Sequence, residues 1–199
     1  AAGLAVLWLG NTGTGVAGVT IITHGLNGNV TGWVTGMATN VPAYPGFPGT
    51  NFSCYNMTFV PTGSGGFTLS ATRTAGMAAT HSESGEIIIK LDWSGLADGN
   101  SYNTFQVAAA VLPALVGTNF ISELAGHALA ELPLHFIGHS RGGSLLCELS
   151  RLLGTNGIWV DHLTSLDPHP LNAPGFPWDG GYSAVDAPMN TYANVLFHD

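Results

Sequence analysis

Leu134-His135-Phe136-Ile137-Gly138-His139-Ser140-Arg141-Gly142-Gly143-Ser144-Leu145-Leu146 decides how this chain is read. The apolar run 132–137 has the length of a buried strand, and 141–153 has the pattern of a helix. Between them, Gly138, Ser140 and Gly142 complete G-x-S-x-G, the pattern that sets a serine on a strained strand-to-helix turn. The chain is so crowded two residues before and two after such a serine that hydrogen is the side chain that fits. The turn lifts the hydroxyl above the sheet edge and sets it at a helix N-terminus, where backbone N–H groups favour developing negative charge. Five loosely constrained positions recur by chance. The strand before and the helix after give the pattern its weight, and they make Ser140 the candidate nucleophile.

Around this stretch, 199 residues suffice for one domain with a substantial core, so 1–199 is read as a single domain. Apolar residues make up 45% of the chain and charged residues 8%, with a net charge of −8. Lys90, Arg73, Arg141 and Arg151 are its only lysine and arginines, too few and too scattered for nucleic acid or an anionic membrane surface. No apolar run long enough to span a membrane is free of breakers, so no transmembrane segment is expected. Of the two cysteines, Cys147 falls in the helix after Ser140 and Cys54 near a loop, and two free thiols are favoured over a disulfide. Few lysines, much Asn, Thr and Gly, and the sequons at Asn29, Asn51 and Asn56 lean toward a secreted or extracytoplasmic protein.

Taken in order, Leu4 to Leu9 is an apolar strand, followed by the glycine-rich run 13–18. That run matches a dinucleotide fingerprint in spacing, yet Val19 to Thr23 begins another strand where the fingerprint needs a helix, so no cofactor is expected. Strand 19–23 ends in His24-Gly25-Leu26-Asn27-Gly28, a small-residue turn with backbone N–H groups free to face a ligand. Residues 39–53 carry three prolines and read as irregular. Tyr55–Val60 and Phe67–Thr72 alternate around a Gly-rich turn, as a hairpin does. Glu86 to Trp93 is continuous and β-branched, as a central parallel strand should be, and 104–132 reads as one long helix or two, interrupted by Pro113. Strands 158–166 and 191–197 follow, separated by the irregular loop 171–190. Alternating strands and helices predict an α/β fold with a mainly parallel sheet, helices on both faces and a site beyond the carboxyl ends of the strands. His24, Ser140, Asp167 and His198 all fall at such ends.

These residues resemble the α/β-hydrolase superfamily and, within it, the lipases and esterases. His24-Gly25-Leu26 resembles the lipase oxyanion strand end. Leu91-Asp92-Trp93-Ser94 with Tyr102 and Asn103 resembles the fourth-strand segment of pancreatic-type lipases. Ile137-Gly138-His139-Ser140 resembles their elbow, and Ser165-Leu166-Asp167-Pro168 their acid-bearing turn. The resemblance implies Ser140 as nucleophile, Asp167 as the acid that orients the base, and an oxyanion hole from the backbone N–H groups of Leu26 and Arg141. It implies acyl transfer through an acyl-enzyme on a carboxylic ester. His24, His139, Phe176 and Trp178 are expected to face substrate, and aromatics of the two irregular loops (Tyr44, Phe47, Phe52, Phe176, Trp178 and Tyr182) form either an apolar rim for a lipid or hydrophobic ester, or packing against the sheet.

The chain departs from the family at the base. The family's histidine follows one more strand than is counted here, so the expectation is a chain whose C-terminal part is missing and whose histidine comes from a complementary fragment. Among the histidines present, His198 is the best substitute, although a satisfied rim histidine is the reading favoured for it. His169 lies too close to Asp167, His139 flanks the nucleophile, and His24 serves the oxyanion strand end. Asp161, His162, Asp167 and His169 lie toward opposite ends of one strand and are not expected to converge on a metal. Two alternatives remain open: an inactive hydrolase-fold binding module lacking its base, and a peptidase, thioesterase or acyltransferase of the same fold.

Overall fold

Val19–Thr23 (β1), Phe52–Pro61 (β2), Phe67–Gly76 (β3), Glu86–Asp92 (β4), Leu134–His139 (β5), Val160–Leu166 (β6) and Val195–His198 (β7) form one sheet in the order β3-β2-β4-β1-β5-β6-β7. All pairings are parallel except the hairpin of β2 and β3. The computed structural model describes residues 18–43, 51–62, 66–81, 85–176 and 180–199. The expected strand Leu4–Leu9, most of the glycine-rich run after it, Tyr44, Phe47 and Trp178 lie outside those residues.

The helices Trp33–Asn40 (α1), Thr104–Val116 (α2) and Arg141–Thr155 (α3) cover both faces. Central strands alternate between two apolar cores, as a period of two requires. Ile21, Ile87, Ile89, Leu91 and Phe136 face α2 and α3, whereas Ile22, Ile88 and Ile137 face Val34 and Ala38 of α1. The β4 run Ile87-Ile88-Ile89 is wholly buried because both its faces are covered. Among the described residues no helix is long and apolar enough to cross a membrane.

Five expectations need correction. The helix expected over 104–132 ends at Val116, and 3-10 turns at Ser122–Leu124 and Leu129–Glu131 take its place. Asn103 starts α2 with a capping box to Gln106, and Pro113 sits inside its last turn rather than breaking it, because only the Ala109 carbonyl loses a partner there. Both ends of the stretch expected to be irregular, 39–53, lie in regular elements, since α1 runs through Asn40 and β2 begins at Phe52. Cys54 lies inside β2, not by a loop, and both cysteines are buried free thiols. The last strand is confined to Val195–His198.

Candidate active site

Strand β5 delivers Ser140 to the carboxyl edge of the sheet, and α3 begins at the next residue. Ser140 has φ 55° and ψ −125°, a conformation a non-glycine residue adopts only when its surroundings impose it. Those surroundings are backbone. A Cβ on Gly138 would stand 2.5 Å from the Gly142 carbonyl oxygen, and one on Gly142 would stand 2.5 Å from that of His24. The Ser140 N–H donates to the Leu166 carbonyl at 3.0 Å, which ties the turn to the end of β6. Ser140 is half-buried at the wall of a cavity of about 310 Å³ that is also lined by His24, Gly25, Leu26, Gly28, Asn29, Thr31, Trp33 and His139.

The strand end His24–Gly28 meets the Ser140 turn directly. Gly25 lies so close that a Cβ there would stand 2.7 Å from Ser140 Cβ and 2.9 Å from the His139 carbonyl. The next two N–H groups turn inward, Asn27 to the Ala97 carbonyl at 2.9 Å and Gly28 to the Gly25 carbonyl at 3.1 Å. Leu26, between them and Gly25, makes no such internal bond among the described residues. Arg141, as the first residue of α3, has an N–H that no intrahelical carbonyl can accept.

His24 does not project into the cavity as a free ring. It is 1% exposed, donates from Nδ1 to the Gly25 carbonyl at 2.9 Å and stacks on Trp93 at 5.7 Å. Its Nε2 lies 3.5 Å from Asp92, whose carboxyl is held down to about 2, first by the His24 ring and further by Ser94. Trp93 Nε1 closes the arrangement by donating to the His24 carbonyl at 3.0 Å. His24 thus braces the strand end. His139 is exposed at the cavity and meets Trp33 edge-on at 5.8 Å.

Asp167 follows β6 immediately, in the left-handed region at φ 44°, and is exposed. The Leu166 carbonyl beside it is the acceptor for Ser140 N–H, so the Asp167 turn and the Ser140 turn share a hydrogen bond. Its neighbour Pro168 packs on the start of α3, where its Cβ is 3.2 Å from the position a Gly143 Cβ would take. His169 is exposed and faces Phe176 at 6.3 Å. Phe176 is not among the residues lining the Ser140 cavity.

The structure does not bring His198 to Ser140. His198 pairs with Leu163, which pairs with Phe136, so it stands level with a residue four positions short of Ser140 and two strands away. At strand spacings that is about 10 Å sideways and about 13 Å along the sheet. Both ring nitrogens are engaged, Nε2 with Ser165 Oγ at 2.9 Å and Nδ1 with Thr191 Oγ1 at 2.7 Å. Burial pushes the imidazole pKa below its ordinary value. Among the described residues no histidine is hydrogen-bonded to Ser140 Oγ. Of the four residues weighed as a metal cluster, Asp161 accepts from Leu134 N–H at the start of β6, while Asp167 lies past its end.

Of the aromatics expected at a rim, Phe52 packs into the core under α1, and Tyr182 lies over Gly99 beside Leu171 and Leu26. A larger cavity of about 490 Å³ lies under α1, lined by Lys90, Cys54 and Phe52 among others, and contains none of the site residues.

Sequence reasoning missed Asp186. This carboxylate is 1% exposed and accepts from Arg141 Nε at 2.7 Å, Arg141 Nη2 at 2.8 Å, Thr104 N–H at 3.0 Å and Leu171 N–H at 2.9 Å. The Arg141 guanidinium also stacks over Trp93 at 5.1 Å. The residue after Ser140 therefore turns its side chain into the core, away from the cavity. Two further residues of α3 continue this seam. Ser144 Oγ donates to the Ala187 carbonyl at 2.7 Å, and Cys147 Sγ donates to that of Asn190 at 2.7 Å. Spaced at i, i+3 and i+6, Arg141, Ser144 and Cys147 form one helix face, and 186–190 lies along it.

No family model and no curated protein sequence matches the chain. Among solved structures, one that is similar is the crystal structure of a cell-surface protein of Lactobacillus plantarum WCFS1 described as a candidate hydrolase, at 15% identity and a TM-score of 0.45. The match covers 77% of this chain and 54% of that one, so the chain spans about half the length of that structure. A largely parallel sheet covered by helices on both faces, with a serine turn between β5 and α3 at its carboxyl edge, gives this chain an α/β-hydrolase fold.

Proposed function

We propose that the chain is a serine hydrolase of carboxylic esters, with Ser140 as nucleophile and Asp167 as the acid. The observation that carries this reading is the conformation of Ser140, held at φ 55° at a cavity wall between Leu26 and Arg141. Ser140 Oγ attacks the ester carbonyl, and the N–H groups of Leu26 and Arg141 receive the charge that develops on its oxygen. The alcohol then leaves an acyl-serine, which water hydrolyses. Each such donor typically contributes about 3–4 kcal/mol to the transition state.

The base is assigned to a histidine on a complementary segment, because His198 is committed to Ser165 and Thr191. Strand β7 ends the sheet with Leu196 and Phe197 exposed, which fits the docking of such a segment. A cavity of about 310 Å³ lies at the small end of ligand sites and favours esters of short acids over long-chain lipids. Sequon content and low lysine support an extracytoplasmic location.

A fluorophosphonate probe tests the assignment. Slow labelling that vanishes in Ser140→Ala and accelerates with added imidazole is expected. Rapid labelling indifferent to imidazole would locate the base within the chain. A folded chain that never labels would sink the catalytic reading and leave a hydrolase-fold binding module. A series of p-nitrophenyl esters checks the acyl preference, which is expected to fall with chain length.

A further inference from the structure

His81, in the loop between β3 and β4, meets His127 and Glu131, in the connection between α2 and β5. One ligand atom from each lies within 4.8 Å of the other two. The Glu131 carboxylate is fixed at one end, where Oε1 accepts from Ala128 N–H at 3.0 Å. Its other oxygen, Oε2, faces both rings, at 2.7 Å from His127 Nδ1 and 3.6 Å from His81 Nε2. The rings themselves stack at 4.2 Å, nearly parallel at 23°.

His81 Nε2 is the unresolved atom in this group. It is buried from solvent and has no hydrogen-bond partner. The Glu131 contact, at 3.6 Å, is too long for one. An unpartnered nitrogen facing a carboxylate oxygen that a second imidazole already contacts is the arrangement a bound cation would complete. From these residues we infer a site for a divalent transition-metal ion of the zinc class. Two imidazoles and one carboxylate suit zinc or cobalt, whereas calcium and magnesium take oxygen ligands. Around a tetrahedral zinc with bonds near 2.0–2.1 Å, ligand atoms stand about 3.3 Å apart. The two distances to Glu131, 2.7 and 3.6 Å, bracket that value, and rotation of the stacked rings toward a common point would complete three ligands, with water as the fourth.

Its place in the fold says what such a metal does. His81 shortly precedes β4 and Glu131 shortly precedes β5, so the site is at the amino edge of the sheet, opposite the carboxyl edge that holds Ser140. The ion clips two connections together and stabilises the fold; it takes no part in acyl transfer.

Calorimetric titration of the chelator-stripped 199-residue chain with zinc chloride tests this. One ion per chain is expected, with Tm rising about 5–10 °C at zinc a hundredfold above Kd. His81→Ala, His127→Ala and Glu131→Gln should each weaken Kd by about a hundredfold or more. His162→Ala should leave it unchanged, and cobalt should give the visible absorption of a tetrahedral site in the parent chain alone. Absence of binding overturns the inference, as does binding that survives His127→Ala and Glu131→Gln. Labelling of Ser140 is read separately and does not depend on zinc.

Discussion

Gly25 shows how narrowly single residues define this site. Its missing side chain lets the oxyanion strand end lie against Ser140, and a methyl there would press on Ser140 Cβ at 2.7 Å. Gly25→Ala is expected to push Leu26 N–H away from the developing oxyanion and lower kcat by about 10²–10³-fold. The chain should stay folded, so a kcat loss with unchanged far-UV circular dichroism checks it. Ser140 and its glycines were legible in the sequence because the spacing of small residues about a serine reports the crowding directly. Asp186 was not. A lone aspartate in an irregular loop carries no local pattern, and its meaning comes from Arg141, 45 positions earlier.

Strands β5 and β6 carry the clearest pH dependence. His135 stacks on His162 at 4.8 Å, and its pKa is pushed down to about 4, mainly by burial and further by the His162 charge, with Asp199 opposing. The unfolded chain takes up this proton near pH 6.5, before the folded chain does. Stability from a neutral His135 is therefore full above pH 6.5 and is lost as pH falls toward about 4. Urea midpoints should drop over that window in the parent chain and drop less in His135→Gln. At this scale β1, β4, β5, β6 and α3 were legible, since continuous apolar runs and glycine breaks mark them. The end of α2 was not, because residues 117–132 keep an apolar content that suits a helix while their packing calls for 3-10 turns.

For the whole molecule, the buried Arg141–Asp186 pair joins elbow, α2 and the loop 171–190. Removing one partner strands a charge in the interior, so Asp186→Asn is expected to cost about 3–5 kcal/mol in urea unfolding. The double change Arg141→Met with Asp186→Asn should cost less, because no buried charge is left unpaired and the amide oxygen keeps a backbone N–H partner. The fold class was legible because alternation of strands and helices is a property of the whole chain. The position of His198 was not, since a shift of β7 along β6 leaves the sequence pattern unaltered and moves the ring by several residues.

The seam along α3 has a consequence in time. Arg141, Ser144 and Cys147 are held by residues 43 to 45 positions later in the chain. Contacts of such separation close after local helices and hairpins have formed. The serine turn therefore matures late: during refolding, reactivity of Ser140 toward the phosphonate probe should lag behind recovery of helical signal. Equal rates for the two would mean that the turn is set locally, by its own glycines alone.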